Sequence, residues 1–429
     1  MRTAGDPKGD ALLPKRRGSR VLFTADSFLP HAGGSRVYYY NLCSHWTQQF
    51  PDSITVLTRE VPGWEEFDRT VVSSQLRIIR RGYPLPNWKY HQLPKIAGPL
   101  TSLLWLWKSA DFDVVHAGDL FPQGVAALLA KRVARVPYIA YCHGEEITQM
   151  DRRRFQPVMR DAVYRGADAV VAANEFARAN LLRIGVPAER IGKVLPGVDH
   201  ERFAPRPKNP ELMQRFGLAG KTVVLSVGRL VARKGHAQIM RALAGMHLPA
   251  SSFHYLIAGE GPEKEALLKL AQELRIAGSV TLAGKVPEEQ LAEYYNLCDL
   301  FALANRDVDG DLEGFGMVFL EANAAGKPTL GGRTGGTSEA VLENLTGMLV
   351  DPEDVLELTD ALGTLLSNPE LRHRLGNAGL RRVRTEFSWQ EQARRLCELN
   401  CAVVERSRRT RPLGSRRDEP LPQFLPSAH

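Results

Sequence analysis

The sequence predicts an α/β protein built from two doubly wound parallel-sheet domains that face each other across a cleft. Three observations lead there. Short apolar runs repeatedly end in a glycine turn, as Val223-Val-Leu does before Gly228 and Leu256-Ile-Ala does before Gly259-Glu-Gly-Pro262. The chain has 429 residues, more than one hydrophobic core ordinarily serves. Finally, Glu313-Gly-Phe-Gly-Met-Val-Phe-Leu-Glu321 sets two carboxylates eight positions apart about the start of a buried helix.

Residues 1–19 are polar and rich in Gly, Pro and Lys/Arg, a composition that does not build a core, and are expected to be disordered. A first domain is expected over 20–205. It opens on the strand Val21-Leu-Phe-Thr, which feeds the loop Phe28-Leu-Pro-His-Ala-Gly33-Gly34 and a helix through Tyr38-Tyr-Tyr-Asn-Leu. Further strands follow at Ile54-Thr-Val-Leu-Thr, Asp113-Val-Val-His-Ala, Tyr138-Ile-Ala-Tyr-Cys and Ala169-Val-Val-Ala-Ala. A second domain is expected over 206–385, with glycine turns at Gly228, Gly259, Gly284 and Gly335-Gly336. A helix over 386–404 follows, and the Arg- and Pro-rich 405–429 segment is expected to be disordered.

Composition narrows the class. Hydrophobic residues make up 44% and charged residues 24%, an ordinary globular balance. The five cysteines (Cys43, Cys142, Cys298, Cys397, Cys401) are scattered without metal-ligand spacing, which suggests reduced thiols in the cytoplasm. The longest uncharged apolar stretch, Ile96 to Trp107, holds Pro99 and falls short of the about 20 residues a membrane span needs. No transmembrane segment is therefore expected.

Charge is uneven. Through Pro205 there are 28 Lys+Arg against 20 Asp+Glu, so the formal +8 of the chain lies wholly in its first half. Runs such as Arg77 to Arg81 and Arg152-Arg-Arg154 contribute to it. Such a field favours an anionic partner, either an acidic lipid surface or a phosphate-bearing acceptor. Nucleic acid is not expected, since no binding motif accompanies the charge. Trp105 and Trp107 beside Lys95 and Lys108 fit peripheral contact with an anionic membrane, and equally fit tryptophans packed inside the first domain.

The Glu313–Glu321 segment has a direct chemical reading. Gly314 and Gly316 leave backbone N–H groups open to close approach, where the helix dipole favours an anion. Phe315 and Met317 share that turn. Glu313 stands just before the helix, and Glu321, two turns on, can reach a second part of the same ligand. An ordinary capped helix ending at Gly326 and Pro328 would look the same in isolation. Arg229 and Lys234 flank a glycine-containing turn, from which a planar donor fork and a compact ammonium could both reach a diphosphate. The Asp307-Val-Asp-Gly-Asp-Leu-Glu313 run fails as a calcium loop, with Leu312 and Val318 where glycine and the closing glutamate belong.

These motifs, in this order, resemble the family 4 retaining glycosyltransferases of GT-B fold, over about 20–396. The resemblance implies that Glu313 and Glu321 form the family's E-x7-E motif, and that Arg229 and Lys234 bind the diphosphate. It implies that Gly259 to Pro262 is the family's glycine-rich turn and that His143, at a strand end, is its cleft histidine. Gly33 and Gly34 would face the donor phosphates and acceptor, and the base would be read by backbone around Lys285 and Val286. Thr337-Ser338 departs from the family's pattern before Glu339. The implied donor is a nucleotide sugar: the Asp311–Glu321 and Phe28–Gly34 segments look like the phosphatidylinositol mannosyltransferase branch and favour GDP-mannose, with UDP-sugars still open. The implied acceptor is lipid-linked or a glycan. No metal or cofactor is expected if Arg229 and Lys234 neutralise the leaving diphosphate. Other readings are a different GT-B enzyme, such as an epimerase or phosphorylase, and a non-catalytic sugar- or lipid-binding scaffold.

Overall fold

A computed structural model describes residues 17–30, 33–81, 93–144, 146, 147, 156–246, 248, 249 and 251–410. The first domain is a seven-stranded parallel sheet of β1 (Arg20–Thr24), β2 (Ser53–Arg59), β3 (Leu76–Arg81), β4 (Val114–Ala117), β5 (Tyr138–Cys142), β6 (Ala169–Ala172) and β7 (Ile191–Lys193), in the order 3-2-1-4-5-6-7. The second is a six-stranded parallel sheet of β8 (Thr222–Val227), β9 (Phe253–Ala258), β10 (Val280–Gly284), β11 (Leu300–Leu303), β12 (Thr329–Gly332) and β13 (Gly347–Val350), in the order 10-9-8-11-12-13. Helices cover both faces of each sheet, so strands such as β4, β5, β6, β9 and β11 are buried along their whole length. The expected α/β architecture of two Rossmann-like domains is what the chain forms.

Strand order reverses between β1 and β4 in one sheet and between β8 and β11 in the other. At such a switch point neighbouring loops leave in opposite directions and open a crevice beyond the strand ends. The loops leaving β1, β4 and β5 carry Gly33–Gly34, Asp119 and His143; those leaving β8 and β11 carry Arg229, Lys234 and Glu313. Both crevices therefore hold polar residues that the cores do not use.

The last helix, Trp389–Thr410, belongs to the second half of the chain but packs on the first domain. Its Trp389 ring blocks Gly197, where an added Cβ would lie 2.6 Å from the indole, and sits 6.1 Å from the Tyr38 ring. Gln392 accepts from Leu195 N at 2.8 Å. Asn400 donates to Ser19 Oγ at 2.9 Å and meets His116 Nε2 at 3.1 Å. Ser19 in turn donates through N and Oγ to the buried Asp52 carboxylate, both at 2.6 Å, and Trp46 Nε1 donates to the same group at 2.8 Å. Burial lowers His116 to about 4, so this imidazole is neutral where it meets Asn400.

Two expected boundaries move. The helix expected to end at 404 runs on to Thr410, because Arg408 pairs with Asp113 at 2.9 Å and Arg406 donates to the Asp168 carbonyl, holding its last turns against the first sheet. Ser19, placed with the disordered 1–19 segment, is 2% exposed through its bond to Asp52. The rest of the expected tails, at 1–16 and 411–429, lies outside the described residues, as do His31, Ala32, Glu145 and residues 152–154. The two tryptophans part company: Trp107 packs against the first domain's core, whereas Trp105 is 42% exposed with the Arg81 guanidinium 5.3 Å from its ring. Among the described residues no helix is long and apolar enough to cross a membrane, and all five cysteines are free thiols.

Asn400→Ala should lower the free energy of unfolding by about 1–3 kcal/mol, because Ser19 Oγ and His116 Nε2 lose a buried partner. Urea titration followed by tryptophan fluorescence measures it; an unchanged midpoint would mean that this helix is not what fixes the first domain's edge.

Candidate active site

The centre of the cleft is a buried ion cluster. Glu313 Oε2 accepts from Lys234 Nζ at 2.6 Å and from Arg233 Nη1 at 2.8 Å, and the three side chains are 12%, 8% and 12% exposed. Arg233 Nε also lies 3.2 Å from Asp311 Oδ2, without hydrogen-bond alignment. Burial alone would raise the Glu313 carboxyl, but the Lys234 ammonium and then the Arg233 guanidinium outweigh it and hold Glu313 below its ordinary range. The cluster is thus charged at neutral pH, with two cations against one buried carboxylate and the partly exposed Asp311.

Local backbone chemistry sets this up. After β8 the chain turns at Gly228, where a Cβ would lie 3.3 Å from Lys234 Cε, so the lysine stem crosses directly over the glycine. Gly235 has φ +69°, and a Cβ there would fall 1.9 Å from the Ala304 carbonyl oxygen; only glycine lets the β8 loop rest against the end of β11. Arg229, in the same turn, is exposed, and its carbonyl accepts from Val231 N at 3.0 Å and meets His236 Nε2 at 3.4 Å. The β12 loop closes the other side: Gly336 N donates to the Glu313 carbonyl at 3.0 Å, and a Cβ on Gly336 would lie 2.0 Å from the Gly314 carbonyl oxygen.

Downstream, Gly316 caps the helix Met317–Ala324 in a left-handed conformation. The Phe315 ring is buried 5.9 Å from Phe387, so what Phe315 offers the cleft is backbone. Met317 packs against the first domain's cluster, and a Cβ on Gly34 would meet Met317 Cε at 3.4 Å; here the two domains touch across the cleft. Glu321 is held apart from Glu313, accepting from Tyr295 OH at 2.5 Å. Burial pushes Glu321 up to about 7 against that hydrogen bond, with Glu288 adding to the rise. Val286, just after β10, is half-buried against the second core.

On the facing wall, His143 leaves β5. Its Nε2 lies 2.8 Å from Tyr39 OH, which also hydrogen-bonds the Gly118 carbonyl. A phenol has one hydrogen, and the carbonyl can only accept it, so Nε2–H of His143 must donate to Tyr39. Burial, then the nearby Asp119 and Glu146 carboxylates, raise the Tyr39 phenol and keep it neutral. Asp119, at the end of β4, accepts from Asp26 N at 2.6 Å and is itself pushed up to about 7 by burial.

Of the sequence-expected residues, Lys234 pairs with Glu313 and shares its turn with Arg229, Gly314 meets the His143 strand end through Asn174, Gly34 lies against Met317, and Glu321 and Val286 stay within the second domain. Sequence reading missed Arg233, although it stands beside Lys234 in Ala232-Arg-Lys-Gly235. It also missed Tyr39, Tyr295, Asp119 and Asn174. Asn174 was legible only as a helix cap before Glu175.

The Glu321 shift has a signed consequence. Folded protein keeps this proton up to about pH 7, while the unfolded chain releases it near the ordinary carboxylate value. Stability from the neutral form is complete below that ordinary value and lost as pH rises through 7. Glu321→Gln cannot ionise, so its urea midpoint should gain on wild type between pH 5 and 8; a gap constant with pH would show that Glu321 is already ionised at pH 5.

Comparison with known proteins accords with this geometry. The profile described as Glycosyltransferase Family 4 matches residues 32–202, and that described as Glycosyl transferases group 1 matches 208–382. A GDP-mannose-dependent alpha-(1-6)-phosphatidylinositol monomannoside mannosyltransferase of Mycolicibacterium smegmatis is 31% identical over 385 residues, covering 88% of this chain and 97% of that protein. A D-inositol 3-phosphate glycosyltransferase of Thermobispora bispora is 31% identical over 329 residues, covering 72% and 75%. Among solved structures, Anabaena HepE with UDP and glucose superposes with a TM-score of 0.73 at 19% identity, covering 90% of this chain and all of that one. Sucrose-phosphate synthase from Thermosynechococcus elongatus gives 0.76 at 21%, with 90% and all covered. The two profiles, the relatives matched over most of their length and the paired Rossmann-like sheets agree: this chain belongs to the family 4 glycosyltransferases of GT-B fold.

Proposed function

We propose that the chain transfers a hexosyl group from a nucleotide sugar, GDP-mannose before UDP-sugars, to a lipid-linked or glycan acceptor in cell-envelope or polysaccharide biosynthesis, with retention at the anomeric carbon. The observation that carries this reading is the Lys234–Glu313–Arg233 cluster at the switch point of the second sheet, with the exposed Arg229 in the same turn. The mannosyltransferase relative supports mannose and its GDP carrier, and suggests an inositol-bearing lipid as acceptor.

Breaking a sugar–phosphate bond leaves negative charge on the diphosphate and positive character on the anomeric carbon. Arg229 and Lys234 meet the first, aided by backbone N–H groups around Gly316 at the start of the Met317–Ala324 helix. Glu313, kept ionised by its cations, accepts hydrogen bonds from sugar hydroxyls and fixes the donor's pose. Glu321 takes ribose hydroxyls, and Val286 backs the base. His143 borders the sugar from the first domain beside Gly33–Gly34, where the acceptor enters. The acceptor hydroxyl attacks from the face the diphosphate leaves, so no protein nucleophile takes part. Two side-chain cations offset the leaving charge, and this reading needs no metal. The exposed Trp105–Arg81 pair would rest on an anionic membrane surface.

A panel of nucleotide sugars, scored by GDP or UDP release with phosphatidylinositol-containing vesicles, tests the donor and acceptor. GDP-mannose turnover is expected; turnover of UDP-sugars alone would replace the donor, and none with any nucleotide sugar would remove the proposal. Arg229→Ala should reduce kcat by about two to three orders of magnitude without loss of fold, the scale of one charge-stabilising group. Activity should survive excess EDTA; a loss restored by manganese or magnesium would assign the charge balance to a metal.

A further inference from the structure

One residue outside the expected site spans both domains. Asn174 follows β6 and is fully buried, and its side chain makes three hydrogen bonds. Its Oδ1 accepts from Ala177 N at 2.6 Å and caps the helix Glu175–Arg183. Its Nδ2 donates one hydrogen to the His143 carbonyl at 2.9 Å and the other to the Gly314 carbonyl. An amide nitrogen has two hydrogens, so both are used, one on each wall of the cleft.

A second contact lies beside it. Glu339, in the β12 loop, accepts from Glu175 N at 2.6 Å and pairs with Lys193 of the first domain at 2.7 Å. The β12 loop is itself bonded to the Glu313 carbonyl through Gly336 N. Arg382 anchors it from behind, donating to the Glu339 and Ala340 carbonyls. Hence the turn holding Glu313–Gly314 and the loop holding Glu339 form one body, and both dock on the same helix start in the other domain.

We infer that Asn174 is a positioning residue that couples domain closure to the reaction centre, by tying the His143 backbone to the Gly314 turn when the domains meet. The inference rests on the reading of this cleft as the nucleotide-sugar site. Separating the domains breaks the bond to Gly314 and the Glu339 contacts, but leaves Asn174 its cap and its bond to His143. The first domain therefore keeps its shape when open, and only the closed form sets the His143 strand end against Gly314. Because the bond reaches a main-chain carbonyl next to Glu313, closure aligns the first domain with the carboxylate that holds the sugar.

Aspartate and serine both cap helices as asparagine does, yet neither can give two hydrogens across the cleft. Asn174→Asp and Asn174→Ser keep the cap but give up both carbonyl bonds, so each should lower Tm less than Asn174→Ala does, while kcat for the nucleotide sugar falls at least about tenfold and KM changes little. A loss on this scale is what a small misplacement of reacting groups produces. Asn174→Ala, which removes the cap as well, should lower Tm. Small-angle X-ray scattering of ligand-free protein gives a readout independent of chemistry: Asn174→Asp should show a larger radius of gyration than wild type. Equal scattering curves, or wild-type kcat in both cap-retaining variants, would overturn the inference. If wild type itself turned over no nucleotide sugar, the reading of the cleft would fail, and scattering would still decide whether Asn174 holds the domains together.

Discussion

The cleft depends on the ionised Glu313 being buried. A carboxylate taken out of water is costly unless cations and hydrogen bonds replace the solvent. Lys234 and Arg233 do this, and each reaches Glu313 only because its loop is held in place: the β8 turn by Gly235 against Ala304, and the Glu313 turn by Gly336. Removing either cation would leave the buried carboxylate on its one remaining partner. The need to neutralise one acid thus fixes three loops from three strands, and these loops face the first domain.

Placement at the switch points turns that constraint into an active site. In each sheet the strand order reverses beside the first strand of the domain, so loops diverge and leave polar groups unopposed by core. The first domain supplies His143, locked through Tyr39, and the acidic Asp119. The second supplies the cations and two carboxylates with opposite shifts, Glu313 held low by its partners and Glu321 raised by burial. The same residue type is tuned two ways within nine residues: Glu313 is held below its ordinary range, and Glu321 is raised to about 7. The C-terminal helix, crossing to the first sheet through Asn400 and Trp389, joins the domains.

Much of this was legible in the sequence. Strands ending in glycine turns gave the sheets, and the spacing of Glu313 and Glu321 with Arg229 and Lys234 located the second domain's loops. Short-range physics sufficed there, because each motif lies within one loop or helix start. What escaped depended on partners far along the chain. Nothing local sets Arg233 apart from a surface cation, because its partner Glu313 lies 80 positions away. Asn174 offers no more than a cap signal locally, and its bond to Gly314 spans 140 positions. Tyr295 carried no local signal at all, since a buried tyrosine in a helix is ordinarily core. Arg406 and Arg408 belong by composition to a disordered basic tail, because composition cannot show that Asp113 and the Asp168 carbonyl await them.

The most direct measurement is a crystal structure of the chain with GDP-mannose. The diphosphate should lie within hydrogen-bond distance of Arg229 and Lys234, with mannose hydroxyls on Glu313 and the ribose on Glu321. A nucleotide sugar seated away from the β8 turn, or a diphosphate that leaves Arg229 in solvent and Lys234 on Glu313 alone, would contradict the account.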